Sequence, residues 1–117
     1  MKIKEIKEIL NAEVITDFSN ENTDIKYGFA SDLMSDALAL VKSDSLLITG
    51  LNNSQVIRTA EMLDMSTVLF VRGKRPCPDV VSLALENQVT ILSTEYTMFK
   101  ACSLLAINGM EGIEADD

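Results

Sequence analysis

The chain has no histidine, two cysteines, two prolines and only 5% aromatic residues. Without histidine it lacks the commonest proton carrier of enzymes and the commonest metal ligand. Cys77 and Cys102 stand far apart and belong to no CxxC or Cys/His pattern. Zinc and haem sites are thereby excluded, and both cysteines are expected as free thiols in a reducing cytosol. No apolar run approaches the ~20 residues that cross a bilayer. The first ten residues, MKIKEIKEIL, interleave Lys and Glu with Ile, unlike the continuous apolar stretch of a signal peptide. A cytoplasmic protein without membrane contact is the expectation. Basic residues are scarce as well, ten against eighteen acids, for a net charge of −8. Glu111, Glu114, Asp116 and Asp117 supply four of those charges, and the mildly acidic body that remains has no footprint for phosphate backbones, which excludes generic nucleic-acid binding.

What is present is aliphatic. Apolar residues make up 47% of 117 positions, enough for one domain that removes roughly two thirds of its unfolded surface from water. Ile3, Ile6 and Ile9 or Leu10 recur at helical spacing, so residues 2–10 read as a short amphipathic helix. Strands are expected at 13–16 and, after the polar loop 17–24, at 25–30. From Ser31 the residues Leu33, Met34, Ala37, Leu38 and Val41 trace one helix face, with Ser31 or Asp32 as its cap. A short apolar strand, 45–49, precedes the turn GLNNS and a helix from Ser54 to Leu63, in which Asn52 and Gln55 have capping-box spacing. TVLFV, 67–71, reads as a strand covered on both faces. Pro78 takes the first position of the next helix, VTIL (89–92) is a further strand, and Ser93 or Thr94 caps a last helix whose stripe is Phe99, Cys102, Leu105 and Ala106. Gly109 ends it. Residues 1–108 are expected to form one three-layer α/β/α domain around a mainly parallel sheet of about five strands, with 109–117 as a disordered acidic tail.

In parallel sheets ligands gather beyond the carboxyl ends of strands, where helix amino termini offer unpaired N–H groups. The turn TGLNNS has that position. Thr49 and Ser54 bring hydroxyls, Asn52 and Asn53 amides, and Gly50 allows close backbone approach, so a phosphate or carboxylate fits; the plainer alternative is a capped glycine turn, and GxxxxGK[ST] spacing is absent. In RGKRPCP, Arg72, Lys74 and Arg75 crowd three positive charges directly after a strand, suited to an anionic ligand but equally to a solvated loop or a salt bridge with a neighbouring subunit. Cys77 lies between the two prolines, read as an exposed thiol with no cationic histidine to make it a nucleophile. Asp32 and Asp36 fall four residues apart, on one helix face, a spacing open to a water-bridged Mg²⁺ but more simply explained by capping for Asp32 and solvation. No nucleophile has an evident Lys or His partner, so no catalytic residues and no cofactor are assigned.

YGFASDLMSDALAL (27–40), SLLITGLNNSQVIRTAEMLD (45–64) and VLFVRGKRP together resemble the DRTGG domain family, most specifically in GFASDLMSD. The resemblance covers most of residues 1–108 and implies an α/β regulatory domain, similar to the amino-terminal domain of HPr kinase and to inserts beside CBS domains in pyrophosphatases. Stand-alone members are similar to small proteins found alongside iron-only hydrogenase components. Where the family motif ends in Thr-Gly-Gly, this chain has Lys26, Tyr27 and Gly28, and the kinase half of the kinase relatives is missing. Gly28, Ser31, Asp32 and Asp36 are the positions the resemblance carries across. The expected function is a non-catalytic, homodimeric regulatory domain that binds a small anionic metabolite or nucleotide. Its rivals are a module docking a larger, redox or hydrogenase-related enzyme, and a carboxylate enzyme built on Asp32 and Asp36.

Overall fold

Three short runs, SLLIT, TVLF and TILS, are buried at every position, which requires a sheet covered on both faces. The computed structural model, described for residues 1–41, 45–73 and 75–114, shows that arrangement. Its elements are α1 (Ile3–Leu10), β1 (Glu13–Thr16), β2 (Tyr27–Ala30), α2 (Met34–Leu40), β3 (Ser45–Thr49), α3 (Ser54–Met62), β4 (Thr67–Phe70), α4 (Pro78–Asn87), β5 (Thr90–Ser93), α5 (Met98–Ile107) and β6 (Glu111–Gly112). The strands lie in the order β1-β5-β4-β3-β2-β6. Pairs β6–β2, β2–β3, β3–β4 and β4–β5 are parallel, and β1 closes the far edge antiparallel to β5.

Alternation along each strand divides the core in two. Leu46, Ile48, Leu69, Val71 and Leu92 point to the side packed by Ile3, Ile6 and Leu10 of α1 and Ala101 and Leu105 of α5. Leu47, Val68, Phe70 and Ile91 point to the opposite side, against Met34 and Ala37 of α2, Val56, Ile57 and Ala60 of α3, and Val80 and Ala84 of α4. The expected three-layer α/β/α architecture is therefore present, with six strands rather than about five. The arrangement differs from expectation in two ways, the second of which supplies the sixth strand. β1 is antiparallel, and the chain beyond Gly109, expected to be loose, buries Met110 and adds Glu111–Gly112 beside β2.

β1 and β5 lose register between Val14 and Thr16, a bulge of the kind common at sheet edges. The Thr16 hydroxyl repairs the ladder there: it donates to the Val89 carbonyl at 2.7 Å and accepts from the Ile91 amide at 3.0 Å.

Helix ends show where local signals fail. Pro78 does open α4. By contrast α2 starts at Met34, after Leu33, with no side-chain cap, so Asp32 precedes the helix and does not share a face with Asp36. Leu33 and Leu38 of its expected apolar face are exposed. α3 is capped by Asn53, whose Oδ1 accepts from the Gln55 amide at 3.0 Å, rather than by Asn52. Thr97, not Ser93 or Thr94, caps α5, and Phe99 and Ala106 of its expected core stripe face outward while Ala101 and Leu105 face the sheet.

Candidate functional site

The carboxyl ends of β2, β3 and β4 lie side by side, and the chain leaving each contributes to one polar cluster. Asp32 follows β2, Thr49 and Gly50 end β3, and Arg72 follows β4. One oxygen of Asp32, Oδ1, accepts from the Gly50 amide at 2.7 Å and from the Thr49 hydroxyl at 2.9 Å. Its other oxygen stands 3.8 Å from Nη2 of Arg72, and the same guanidinium donates to the Gly50 carbonyl at 3.4 Å. Asp32 and Arg72 keep 49% and 50% of their side-chain surface in water, so the cluster is open on one side. The Gly50 amide above all, helped by the Thr49 hydroxyl and the Arg72 charge, holds the Asp32 carboxyl below its ordinary range against an opposing cost of burial second only to the Gly50 bond.

Gly50 is glycine for a steric reason. A Cβ at that position would fall 2.1 Å from Nη2 and 2.7 Å from Cζ of Arg72, so the arginine lies across the space a side chain would fill. Arg72 itself is held with φ +63, followed by Gly73 at φ +67, a left-handed pair that costs a non-glycine residue roughly 1–2 kcal/mol. Two backbone bonds hold it there, Arg72 N–H to Tyr96 O at 2.8 Å and Gly73 N–H to Thr94 O at 2.9 Å. The turn after β4 is thus fixed to the turn after β5, and the arginine is aimed back over β3.

Asn52 joins the two segments read from sequence as separate candidates. Its Nδ2 donates to the Arg75 carbonyl at 2.7 Å, and its Oδ1 accepts from the Cys77 amide at 3.1 Å. TGLNNS and RGKRPCP therefore form one surface. Asn53 and Ser54 begin α3 beside it. Ser31, next to Asp32, turns its hydroxyl to the Leu33 amide at 3.0 Å.

Three expected members lie elsewhere. Arg75 reaches away to Glu13 of β1, Nη2 to Oε1 at 3.0 Å, between two largely exposed side chains. Asp36 is exposed in the first turn of α2. Gly28 sits mid-strand, where a Cβ would meet the Met110 sulfur at 3.0 Å, so its visible task is to seat Met110. Lys74 falls outside the described residues. Both cysteines are free and half-buried, and burial pushes the Cys102 thiol up. Among the described residues no three His, Cys, Asp or Glu side chains gather as a metal site, and no helix is long and apolar enough to cross a membrane.

Sequence reasoning overlooked a second feature of the same edge. A cleft of about 430 Å³ opens between β1 and the turn after β5, lined by Asn11, Glu13, Gly73, Arg75, Glu95 and Tyr96 among others. The Lys100 ammonium stacks over the Tyr96 ring close by, 4.0 Å from its centroid. The one sequence signal for it was the basic cluster that contains Arg75.

Fold and site together define a single-sheet, three-layer α/β domain with a preorganised polar cluster at the carboxyl edge of its parallel strands. The model of the DRTGG domain matches residues 5–107, and the chain belongs to that family. A similar solved structure is the crystal structure of the CBS and DRTGG domains of the regulatory region of Clostridium perfringens pyrophosphatase, complexed with the activator diadenosine tetraphosphate. It superposes with a TM-score of 0.69 at 17% sequence identity, over 89% of this chain and 45% of that one. This chain thus spans less than half the length of that neighbour, and at such identity the likeness concerns the fold. No curated protein matches the chain.

Proposed function

We propose that this protein is a non-catalytic, cytoplasmic regulatory domain that binds a small anionic metabolite or nucleotide as a homodimer. The observation that carries the reading is the convergence of the Gly50 amide, the Thr49 hydroxyl and the Arg72 guanidinium on one carboxylate oxygen pair. Backbone N–H, hydroxyl and guanidinium are the donors that recognise carboxylate and phosphate. The resident Asp32 carboxylate stands in for the ligand's anionic group, and a ligand enters by displacing it and pairing with Arg72. Asn52, Asn53 and Ser54 border the approach. Membership of the DRTGG family supports the reading, as does the nucleotide activator bound by the pyrophosphatase regulatory region.

Displacement makes a signed prediction. Thermal shift against nucleotides and phosphorylated or carboxylated metabolites should give a stabilising ligand for the wild type, weaker as salt rises. Arg72→Ala should lose the shift. Gly50→Ala should lose it with little loss of stability, because its methyl expels only the far end of a flexible arginine. Asp32→Asn, which removes the competing charge, should bind the same ligand more tightly. Weaker binding by Asp32→Asn would mean that Asp32 contacts the ligand directly. No shift from any compound, with the fold intact, would end the reading.

The competing reading, a module docked on a larger enzyme, draws on Leu33, Leu38, Met62 and Leu85, apolar side chains exposed on or beside α2, α3 and α4. A stoichiometric foreign protein and no small molecule in natively purified material would favour it.

A further inference from the structure

α5, MFKACSLLAI, is apolar on both sides. At 100° per residue Ala101 and Leu105 point to the core, and the opposite arc holds Phe99, Ser103 and Ile107 at its centre with Ala106 on one flank and Lys100 on the other. Phe99 is 84% exposed and Ile107 80%, the highest values among the large apolar side chains of the described residues. The polar groups beside them are already used. Ser103 donates its hydroxyl to the Lys100 carbonyl at 2.9 Å, and Asn108 donates Nδ2 to the Leu104 carbonyl at 2.7 Å. Lys100 is the one charge of the helix. Large apolar side chains on both sides of a helix call for a cover on each, and among the described residues nothing covers Phe99 and Ile107 on the outer arc.

We infer that two copies of this chain pair through the outer face of α5, antiparallel, about a two-fold axis at Ser103. The inference rests on the homodimer of the preceding reading and names its surface. A two-fold interface must be complementary to itself, and this one is: Phe99 and Ile107 stand four residues before and after Ser103. The axis at Ser103 brings each Phe99 onto the partner's Ile107. The small residues Ser103 and Ala106 between them let the helices approach closely.

Charge favours the same occupant. In a chain with eighteen acids and ten bases, α5 carries no acid, so this is a face where two acidic copies meet with least repulsion. The apolar surface extends beyond the helix itself. Phe99 and Ile107 alone offer roughly 300 Å². Their surface continues into a mostly apolar groove of about 180 Å³ beside α5, lined by Ala30, Ile48, Cys102, Ala106 and Gly112 and by one acid, Glu111.

Sedimentation equilibrium and light scattering of the full chain should give twice the 12.9 kDa monomer mass. Phe99→Lys and Ile107→Lys, which add charge at exposed positions and so spare the fold, should each weaken the dimer by at least ~100-fold, an amount typical of a central interface residue. Met62→Lys, an equally wet site on α3, should leave it intact. In a Cys77→Ser, Cys102→Ser background, Ser103→Cys should oxidise to a covalent dimer, because the two residues meet on the axis. A monomeric wild type at high concentration would overturn both this inference and the homodimer. A dimer indifferent to Phe99→Lys and not cross-linked through position 103 would overturn the α5 assignment alone.

Discussion

Replacing Asn52 by alanine tests whether the two loops at the carboxyl edge form one unit. The amide side chain bridges them with bonds of 2.7 Å to the Arg75 carbonyl and 3.1 Å to the Cys77 amide. A typical intramolecular hydrogen bond contributes about 0.5–1.5 kcal/mol net. The first of these bonds is exposed and the second part-buried, so the pair falls at the lower end and Asn52→Ala should cost about 1–2 kcal/mol. With a urea slope near 2 kcal/mol/M, the midpoint falls by roughly 0.5–1 M, and the melting temperature by about 4–8 °C. Asn52→Asp separates the two bonds: it keeps an acceptor for Cys77 N–H and loses the donor to Arg75, so it should fall between wild type and alanine. An alanine variant within about 0.3 kcal/mol of wild type, at unchanged slope, would refute the bridge.

Thr16→Val keeps the shape of a buried residue and removes the hydroxyl that repairs the β1 bulge. Leaving the Val89 carbonyl and Ile91 amide unpaired should cost about 1–3 kcal/mol; Thr16→Ser should recover most of it, and equal losses from both variants would assign the cost to packing instead. Asp32 titrates below its ordinary value in the folded protein, so its bonds add stability that is complete above the unfolded carboxyl pKa, about 3.9, and is lost as pH falls through the lower folded value. Urea midpoints of wild type and Asp32→Asn should therefore separate at pH 7 and close up as pH falls through the lowered folded value; a gap that does not narrow in acid would rule out the charge as its source.

The layered fold could be read from sequence because its signals are local and repeat. Uninterrupted TVLF, the proline opening α4 and the Ile/Leu spacing of α1 each describe an element without reference to any other. The cluster at Asp32 could not be read that way. Ser-Asp before an apolar periodic run is the ordinary mark of a helix cap, and here the Thr49 hydroxyl and Gly50 amide, 17 and 18 residues away in the chain, claim the carboxylate instead. Arg75 joins Glu13 across a separation of 62 residues, which no spacing rule anticipates. The phase of α5 was lost for a different reason: when both sides of a helix are apolar, periodicity cannot say which one faces the sheet. Met110 and β6 were hidden by the acids around them, since composition marks a tail as solvated whether or not one methionine within it is buried.

The two borders of the sheet have a consequence for how this protein can associate. On one side β1 runs antiparallel and is bulged at its centre; on the other β6 offers a ladder of only two residues. An open edge strand is the usual template for adding further chains and growing fibres, and here neither border can extend a neighbour's sheet for more than a residue or two in register. Any self-association is thereby steered from open-ended stacking towards closed pairing through side chains.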